Sequence, residues 1–500
     1  MVYRTGFPRP RPARVVTLLA LAALFALSLG AADASAAKRP YVYIFSLDGL
    51  DRDAVLSEGD APFLSELIAD ENGARSTFFP RSRSVMVAET NPNHTSMITG
   101  AYPKRHGIVG NEFATYGATG DEATCPAKPT PGATPAVTTG QSPSCIETET
   151  AFAAIERQRR DPRLTTALIM GKPKLARLFA TQEVNPGSYD ADYIWAPCDD
   201  DEPYCKDVPT NPVTGYALDD SEVMDEVIRT TRDGVADAGA DRRPDLTFVN
   251  FPQIDSAGHA TGRTSPAYAA AVTLADAEIS RFVANQKELG IWKRTVMMVV
   301  SDHSMDDTPQ FMKVSVDDTF AAAGIPSGAY EVVGNGSAAH IYLTDRTSPG
   351  RFDLLRRMRA ALNAVPAITD ALYRVPNPSD GGRAHTIEQT HRGWEVGGER
   401  SGDIVISTRP GTAVLETSEI SSLPFNPLPG NHGSKLTRDN FWLIAGGGPT
   451  IKLGTPLRRV TNANAAPTAT HLLGVKRPEG AQTGWARQAF KSKLLPGSRR

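Results

Sequence analysis

Tyr41-Val42-Tyr43-Ile44-Phe45-Ser46-Leu47-Asp48 is an apolar run that stops on a carboxylate. Two later stretches behave alike. Leu246 to Phe251 (LTFVNF) leads within four residues to Asp255, with His259 following. Thr295 to Ser301 (TVMMVVS) runs straight into Asp302 and His303. β-rich apolar runs of this length read as buried strands of a parallel sheet. In open α/β sheets, ligands gather outside the carboxyl ends of the strands. Three carboxylates and two imidazoles, far apart in sequence, are therefore expected along one edge, a set suited to metal binding.

The segment from Asp255 to Ser301 contains a whole strand-helix-strand unit. Ser265-Pro266 forms a cap and first-turn pair. Val272, Ala275, Ile279, Phe282 and Val283 recur at helical spacing, and Gly290 closes the helix. Strands flanking such a helix run parallel through a right-handed crossover. The predicted fold class is α/β, a sandwich with a mostly parallel central sheet flanked by helices. From 308 to 429, helix-like and strand-like pieces alternate, and an inserted cap subdomain is expected there. Gly117 to Ser144 and Pro197 to Pro212 read as irregular surface excursions.

Arg4, Arg9, Arg11 and Arg14 accompany an apolar stretch from Val15 to Leu29, and Ala34-Ser35-Ala36 matches a small-residue cleavage site. This predicts a secretory signal peptide over 1–36. An uncleaved anchor is the competing reading, but the apolar stretch is short for a bilayer span, which needs about 20 residues. No later segment is apolar enough to cross a membrane, so the mature chain is expected to be secreted or periplasmic. Removing residues 1–36 takes away four Arg and one Asp, moving the formal charge from −3 to −6. A mildly acidic chain offers no electrostatic footprint for a nucleic-acid duplex. The expected catalytic domain spans 38–475, with a solvated basic tail over 476–500.

Four cysteines allow three pairings. Each neighbouring pair brackets a short polar loop, which favours Cys125 with Cys145 and Cys198 with Cys205. Export makes disulfides the natural state. No C-x-x-C spacing supports a zinc cluster instead.

A further motif is Glu89-Thr90-Asn91-Pro92-Asn93-His94. Pro92 sits where a first helical turn begins. A hydroxyl at Thr90 would lie near unpaired N–H groups and the positive end of a helix dipole, which favours an anion such as phosphate. Taken alone this is an ordinary helix start. Read in order with Asp48, Asp255-Ser256-Ala257-Gly258-His259, Asp302-His303 and Gly430-Asn431-His432-Gly433, it resembles the alkaline phosphatase superfamily. The type I phosphodiesterase and nucleotide pyrophosphatase branch is the nearest match. Tyr102-Pro103 and His106 to Asn111 also look like that branch. The resemblance covers about 40–112, 244–304 and 429–445.

The resemblance implies two divalent metal ions, with zinc suited to the mixed imidazole and carboxylate donors. Asp255, His259 and His432 would hold one. Asp48, Asp302 and His303 would hold the other, with the Thr90 oxygen as a further ligand. Thr90 would be the nucleophile, forming a covalent phosphothreonine. Asn111 would donate to a phosphate oxygen. His94 and His106 are expected to be structural, and His340, His385, His391 and His471 to be surface or satisfied core positions.

The expected partner is a small phosphate ester, and nothing in the sequence fixes the oligomeric state. Phosphodiester hydrolysis is favoured. Asn91 replaces the aromatic residue common after the nucleophile in nucleotide-cleaving members. Thr-Asn-Pro-Asn also resembles phosphonoacetate hydrolase. Lys172 and Lys174, in Gly171-Lys172-Pro173-Lys174-Leu175, resemble the cationic element of that enzyme and of related monoesterases, where lysines bind substrate oxygens. The sulfatase C-x-P-x-R or S-x-P-x-R motif is missing. A catalytically silent exported metal-binding protein is the reading from another class, and the intact Thr90 and six ligands speak against it.

Overall fold

The three apolar runs lie side by side. In the computed structural model the central sheet has eight strands, in the order Arg75–Phe78, Trp442–Gly446, Thr295–Val300, Tyr41–Leu47, Leu246–Phe251, Thr166–Met170, Tyr193–Pro197 and Cys205–Lys206. From Thr295–Val300 onward every pairing is parallel, whereas Trp442–Gly446 and Arg75–Phe78 close one edge antiparallel. Leu47 pairs with Phe251 and Ser46 with Val300. That register sends Asp48, Asp255 and Asp302 out of the sheet at the same end.

The chain divides into Met1–Arg39 and Pro40–Arg500, and the fold described is that of the second unit. The structure describes Met1 and residues 39–69, 75–117, 125, 133–158, 164–180, 191–197, 205–206, 210, 217, 219–237, 240–415, 428–448 and 450–491. The expected signal segment, Met1 apart, lies outside them. Among the described residues no helix is long and apolar enough to cross a membrane.

Alternation along the strands feeds two cores. Val42 and Ile44 enter one, and Tyr43, Phe45 and Leu47 the other. Helix Pro266–Glu288 covers the second face, with Ser265 as its N-cap accepting from Tyr268 N–H. Val272, Ala275, Ile279, Phe282 and Val283 are all buried there. The Phe282 ring meets Tyr43 and Phe45 edge-on at 4.7 and 4.8 Å. Truncating such a side chain to alanine typically costs about 3–5 kcal/mol. Helices Thr90–Thr99, Ala151–Arg157, Pro173–Phe179 and Ala465–Leu472 contribute to the first face.

A second sheet is antiparallel, in the order Tyr330–Asn335, Ala338–Leu343, Ile404–Thr408 and Ile368–Tyr373. With helices Val316–Ala322 and Arg351–Asn363 it builds its own core, from Val314 to Val414. This lies inside the range expected for the insertion. Its first hairpin reaches back to the main domain: Ser337 N–H donates to the His432 carbonyl at 2.6 Å. Gly336 at the turn has φ +64, and a Cβ there would stand 2.2 Å from that carbonyl oxygen. Only glycine fits both demands.

One expectation changes. The 476–500 tail is not a tail from its start, because Ala486, Ala489 and Phe490 are buried in the first core. Phe490 also bridges to Ile451. The lone aromatic and small residues of this stretch carry no periodicity, so burial was not visible in the sequence. The Cys125–Cys145 disulfide forms as expected. Cys205 is also disulfide-bonded, and its expected partner, Cys198, lies outside the described residues.

Candidate active site

Six buried or nearly buried side chains meet at the carboxyl end of the sheet in two trios. In each, one ligand atom per residue lies within 4.8 Å of the others: Asp255, His259 and His432 in one, Asp48, Asp302 and His303 in the other. Asp48 directly follows its strand. Gly49 then turns the chain with φ +75, and a Cβ there would stand 2.9 Å from the Asp255 Cα. Its N–H donates to Asp302 Oδ1 at 3.0 Å, joining two strand ends. Asp255 and His259 lie four apart on helix Gln253–Thr261 and so share a face.

The three imidazoles are oriented in one manner. Each Nδ1–H donates to a backbone carbonyl: His259 to Gly430 at 3.0 Å, His432 to Ala88 at 3.0 Å and His303 to Ser304 at 3.1 Å. That leaves every Nε2 lone pair facing the carboxylates, the arrangement typical of metal-binding histidines. His259 Nε2 and His432 Nε2 are both 3.5 Å from Asp255 Oδ1, and His303 Nε2 is 3.1 Å from Asp302 Oδ2.

Asp48 Oδ1, Asp255 Oδ1, Asp302 Oδ2 and His303 Nε2 are buried without a hydrogen-bond partner. A buried polar atom left unpaired costs about 1–3 kcal/mol or more. Four such atoms converging within two trios fit a pair of divalent cations, and imidazole with carboxylate suits zinc. The electrostatics agree. Burial and then the Asp48 charge push the Asp302 carboxyl well up, a repulsion that a cation relieves. Burial also acts against the Asp255 carboxylate, but Lys172 followed by His259 and His432 holds it well below the usual range. Burial and then His432 keep His303 neutral.

Lys172 departs from expectation. It caps helix Pro173–Phe179 and has no exposed surface. Its Nζ lies 2.7 Å from Asp255 Oδ2 and 2.8 Å from Asp48 Oδ2, one carboxylate from each trio. Instead of reaching for substrate, it turns inward because two buried carboxylates need a counter-charge. Lys174, half-buried in the first turn of the helix, acts electrostatically on His94 and Glu112.

Thr90 opens helix Thr90–Thr99 and is buried, as is every residue of that helix. Asn111 Oδ1 accepts from Asn91 N–H at 2.8 Å, and its Nδ2 donates to the Glu89 carboxylate. Its own N–H donates to Asn335 Oδ1 of the second sheet at 2.9 Å. His94 Nδ1 donates to the Thr90 carbonyl, and burial lowers its pKa to about 4. His106 bonds Ser96 Oγ and is lowered to about 3, again by burial.

Two participants were missed in the sequence. Asn250, within its strand, donates from Nδ2 to Asp48 Oδ2 at 2.9 Å and to His94 Nε2 at 3.2 Å. Glu89 sits 3.2 Å from His432 Nδ1; burial acts against that imidazolium, but the Glu89 charge and hydrogen bond together with the Asp255 charge raise its pKa. A polar residue inside an apolar run was the available signal for Asn250. Adjacency to Thr90 was the only one for Glu89.

A family model described as type I phosphodiesterase / nucleotide pyrophosphatase matches residues 42–435. An uncharacterised pyrophosphatase/phosphodiesterase of Schizosaccharomyces pombe is 25% identical over 291 residues, 57% of this chain and 48% of that protein. Ectonucleotide pyrophosphatase/phosphodiesterase 1 of Saccharomyces cerevisiae is 37% identical over 76 residues, 15% of this chain and 10% of that one. The matches thus span about half of one curated relative and a tenth of the other. Murine ectonucleotide pyrophosphatase/phosphodiesterase 5, solved as an inactive variant in complex with AMP, gives a TM-score of 0.61 at 16% identity, covering 88% of this chain and 96% of that one. Its human counterpart gives 0.61 at 18% identity with the same coverage. At these identities the likeness speaks for the fold.

Proposed function

The chain belongs to the type I phosphodiesterase / nucleotide pyrophosphatase family of the alkaline phosphatase superfamily, and on that premise we propose that it is an exported hydrolase of small phosphodiesters or pyrophosphates, with Thr90 as nucleophile. The observation that carries this reading is the pair of trios with four unpartnered buried ligand atoms. Asp255, His259 and His432 would hold one divalent cation, and Asp48, Asp302 and His303 the other, zinc being the best match to the donors. When bound, such ions supply positive charge that favours the threonine alkoxide and the leaving oxygen.

The chain's own residues supply the rest. Thr90 Oγ attacks phosphorus and loses its proton to solvent. The bond from phosphorus to the leaving oxygen breaks, and that oxygen takes up a proton. Water then cleaves the phosphothreonine, restoring the hydroxyl and releasing phosphate or a phosphomonoester. The N-terminal end of helix Thr90–Thr99 favours the anion electrostatically. Asn111, held by Asn91 and Glu89, keeps a second amide N–H for a phosphate oxygen.

AMP in the murine neighbour supports a nucleotide-type substrate. With Lys172 committed to two carboxylates, the cation pair that favoured a dianionic phosphonate or monoester reduces to Lys174. Export rests on the basic and apolar N-terminus together with the Cys125–Cys145 disulfide. The test is a rate comparison on bis-nitrophenyl phosphate, nitrophenyl-TMP, nitrophenyl phosphate and phosphonoacetate with zinc-loaded mature protein. The diesters should be fastest. Preference for phosphonoacetate would overturn the assignment, and no turnover on any of them would favour a silent metal-binding protein.

A further inference from the structure

Arginines crowd a cavity that shares no residue with the two trios and does not include Thr90. Its volume is about 690 Å³, and Arg83, Arg438, Arg458, Arg459 and Arg487 line it beside Trp485. No Asp or Glu lines it among the described residues. The whole chain carries a formal charge of −3, so this concentration of positive charge is local and not a reflection of composition.

Compensation inside the cavity is thin. Arg83 pairs with Asp439. Arg438 donates to the backbone carbonyls of Ser84 and Gly393, both at 3.0 Å, which carry no formal charge. Arg458, Arg459 and Arg487 are exposed, and among the described residues none forms an ion pair. Like charges gathered this closely repel one another unless an anion joins them. Guanidinium groups are also the side chains best shaped for bidentate phosphate contacts.

Size and walls select a small ligand. The volume falls in the range of about 300–1,000 Å³ common to small-molecule sites. The floor is rigid: Thr461 N–H donates to Asn464 Oδ1 at 2.7 Å, closing a capping box. Trp485 is fixed by stacking on His471 at 3.9 Å, so it forms a steady aromatic wall.

We propose that this cavity binds a polyphosphate anion at a site separate from the catalytic centre. Several adjoining phosphates match several unpaired guanidinium groups better than a single phosphate does. The anion could come as inorganic polyphosphate or as the tail of a nucleoside triphosphate, whose base would then meet Trp485.

Calorimetric titration of the zinc-loaded Thr90→Ala protein with inorganic triphosphate, with and without Arg458→Ala/Arg459→Ala, tests this. Heat from zinc chelation is common to both proteins, so the difference belongs to the arginines. The pair should weaken one binding event by roughly tenfold or more, and added salt should weaken that event in the parent. Repeating the titration with ATP identifies the source: tighter binding with a change in tryptophan fluorescence means a nucleotide, and equal binding means free polyphosphate. Unchanged affinity and stoichiometry in the double variant would overturn the proposal. So would loss of bis-nitrophenyl phosphate turnover when the pair is placed in the Thr90 background, since the cavity would then belong to the catalytic site. Should the double variant fold poorly by its melting temperature, Arg487→Ala gives the same reading at another exposed wall position.

Discussion

His259 Nε2 and His432 Nε2 face each other at 3.0 Å across a sequence separation of 173 residues. Both rings spend Nδ1–H on a backbone carbonyl, so two lone pairs point at one place. A shared cation turns that repulsion into binding. Mature protein should therefore hold two equivalents of zinc, and His259→Ala/His432→Ala should hold one, by elemental analysis. Chelation should abolish hydrolysis and lower the melting temperature, because zinc at 100 times its dissociation constant adds about 2.7 kcal/mol per site. Full activity in metal-free protein would refute the assignment.

Thr90→Ala should leave zinc content intact, since six protein ligands remain. Turnover should fall by about 10³-fold or more, because no covalent intermediate can form. Near-normal kcat would mean that another group is the nucleophile.

Lys172→Met removes the one ammonium between Asp48 and Asp255. Breaking a buried pair in this way costs about 3–5 kcal/mol. Diester and monoester rates should fall by similar factors, alongside a lower melting temperature, because the defect lies beneath both trios. A loss confined to monoesters or phosphonoacetate would return Lys172 to a substrate-contact role.

His340 sets an acid limit on stability. It is fully buried, donates from Nε2 to the Val109 carbonyl and accepts at Nδ1 from Gly402 N–H. Burial lowers its pKa from 6.5 to about 4. Between those values the unfolded chain binds the proton more tightly, so stability present above pH 6.5 is lost as pH falls toward 4. The loss from this one group is about 3 kcal/mol. His340→Gln keeps a donor and an acceptor but does not titrate. Its urea midpoint should fall less than that of the parent between pH 7 and 4.5. Parallel pH profiles would remove His340 from the account.

Three central strands and five of the trio residues were legible because buried apolar runs lead into Asp48, into Asp255 with His259, and into Asp302 with His303, and the parallel register then aligns Asp48 with Asp302. His432 was legible only through the resemblance around Gly430 to Gly433. The helix from Pro266 was legible from its cap and its apolar spacing. The direction of Lys172 was not: a lysine beside a proline looks like a solvated loop until Asp48 and Asp255 are known to lie opposite. Asn250 and Glu89 were hidden for the same reason, since a polar residue gains its partner only through contacts across the fold. The burial of Phe490 rests on a bridge to Ile451, a pairing with no local pattern to announce it.

The hairpin at Gly336 has a consequence for the order in which the chain is made. Its contacts run to Asn111, long since synthesised, and to His432, not yet synthesised when the hairpin emerges. A nascent chain that has reached residue 303 already holds Asp48, Asp302 and His303, whereas the other trio stays open until residue 432. The two trios are thus completed at different points along the chain, one at residue 303 and the other at residue 432. The second sheet, lying between those two points in sequence, joins them in space: Ser337 N–H holds the His432 carbonyl and Asn335 Oδ1 holds Asn111 N–H, so one hairpin ties the last ligand to the nucleophile's end of the site.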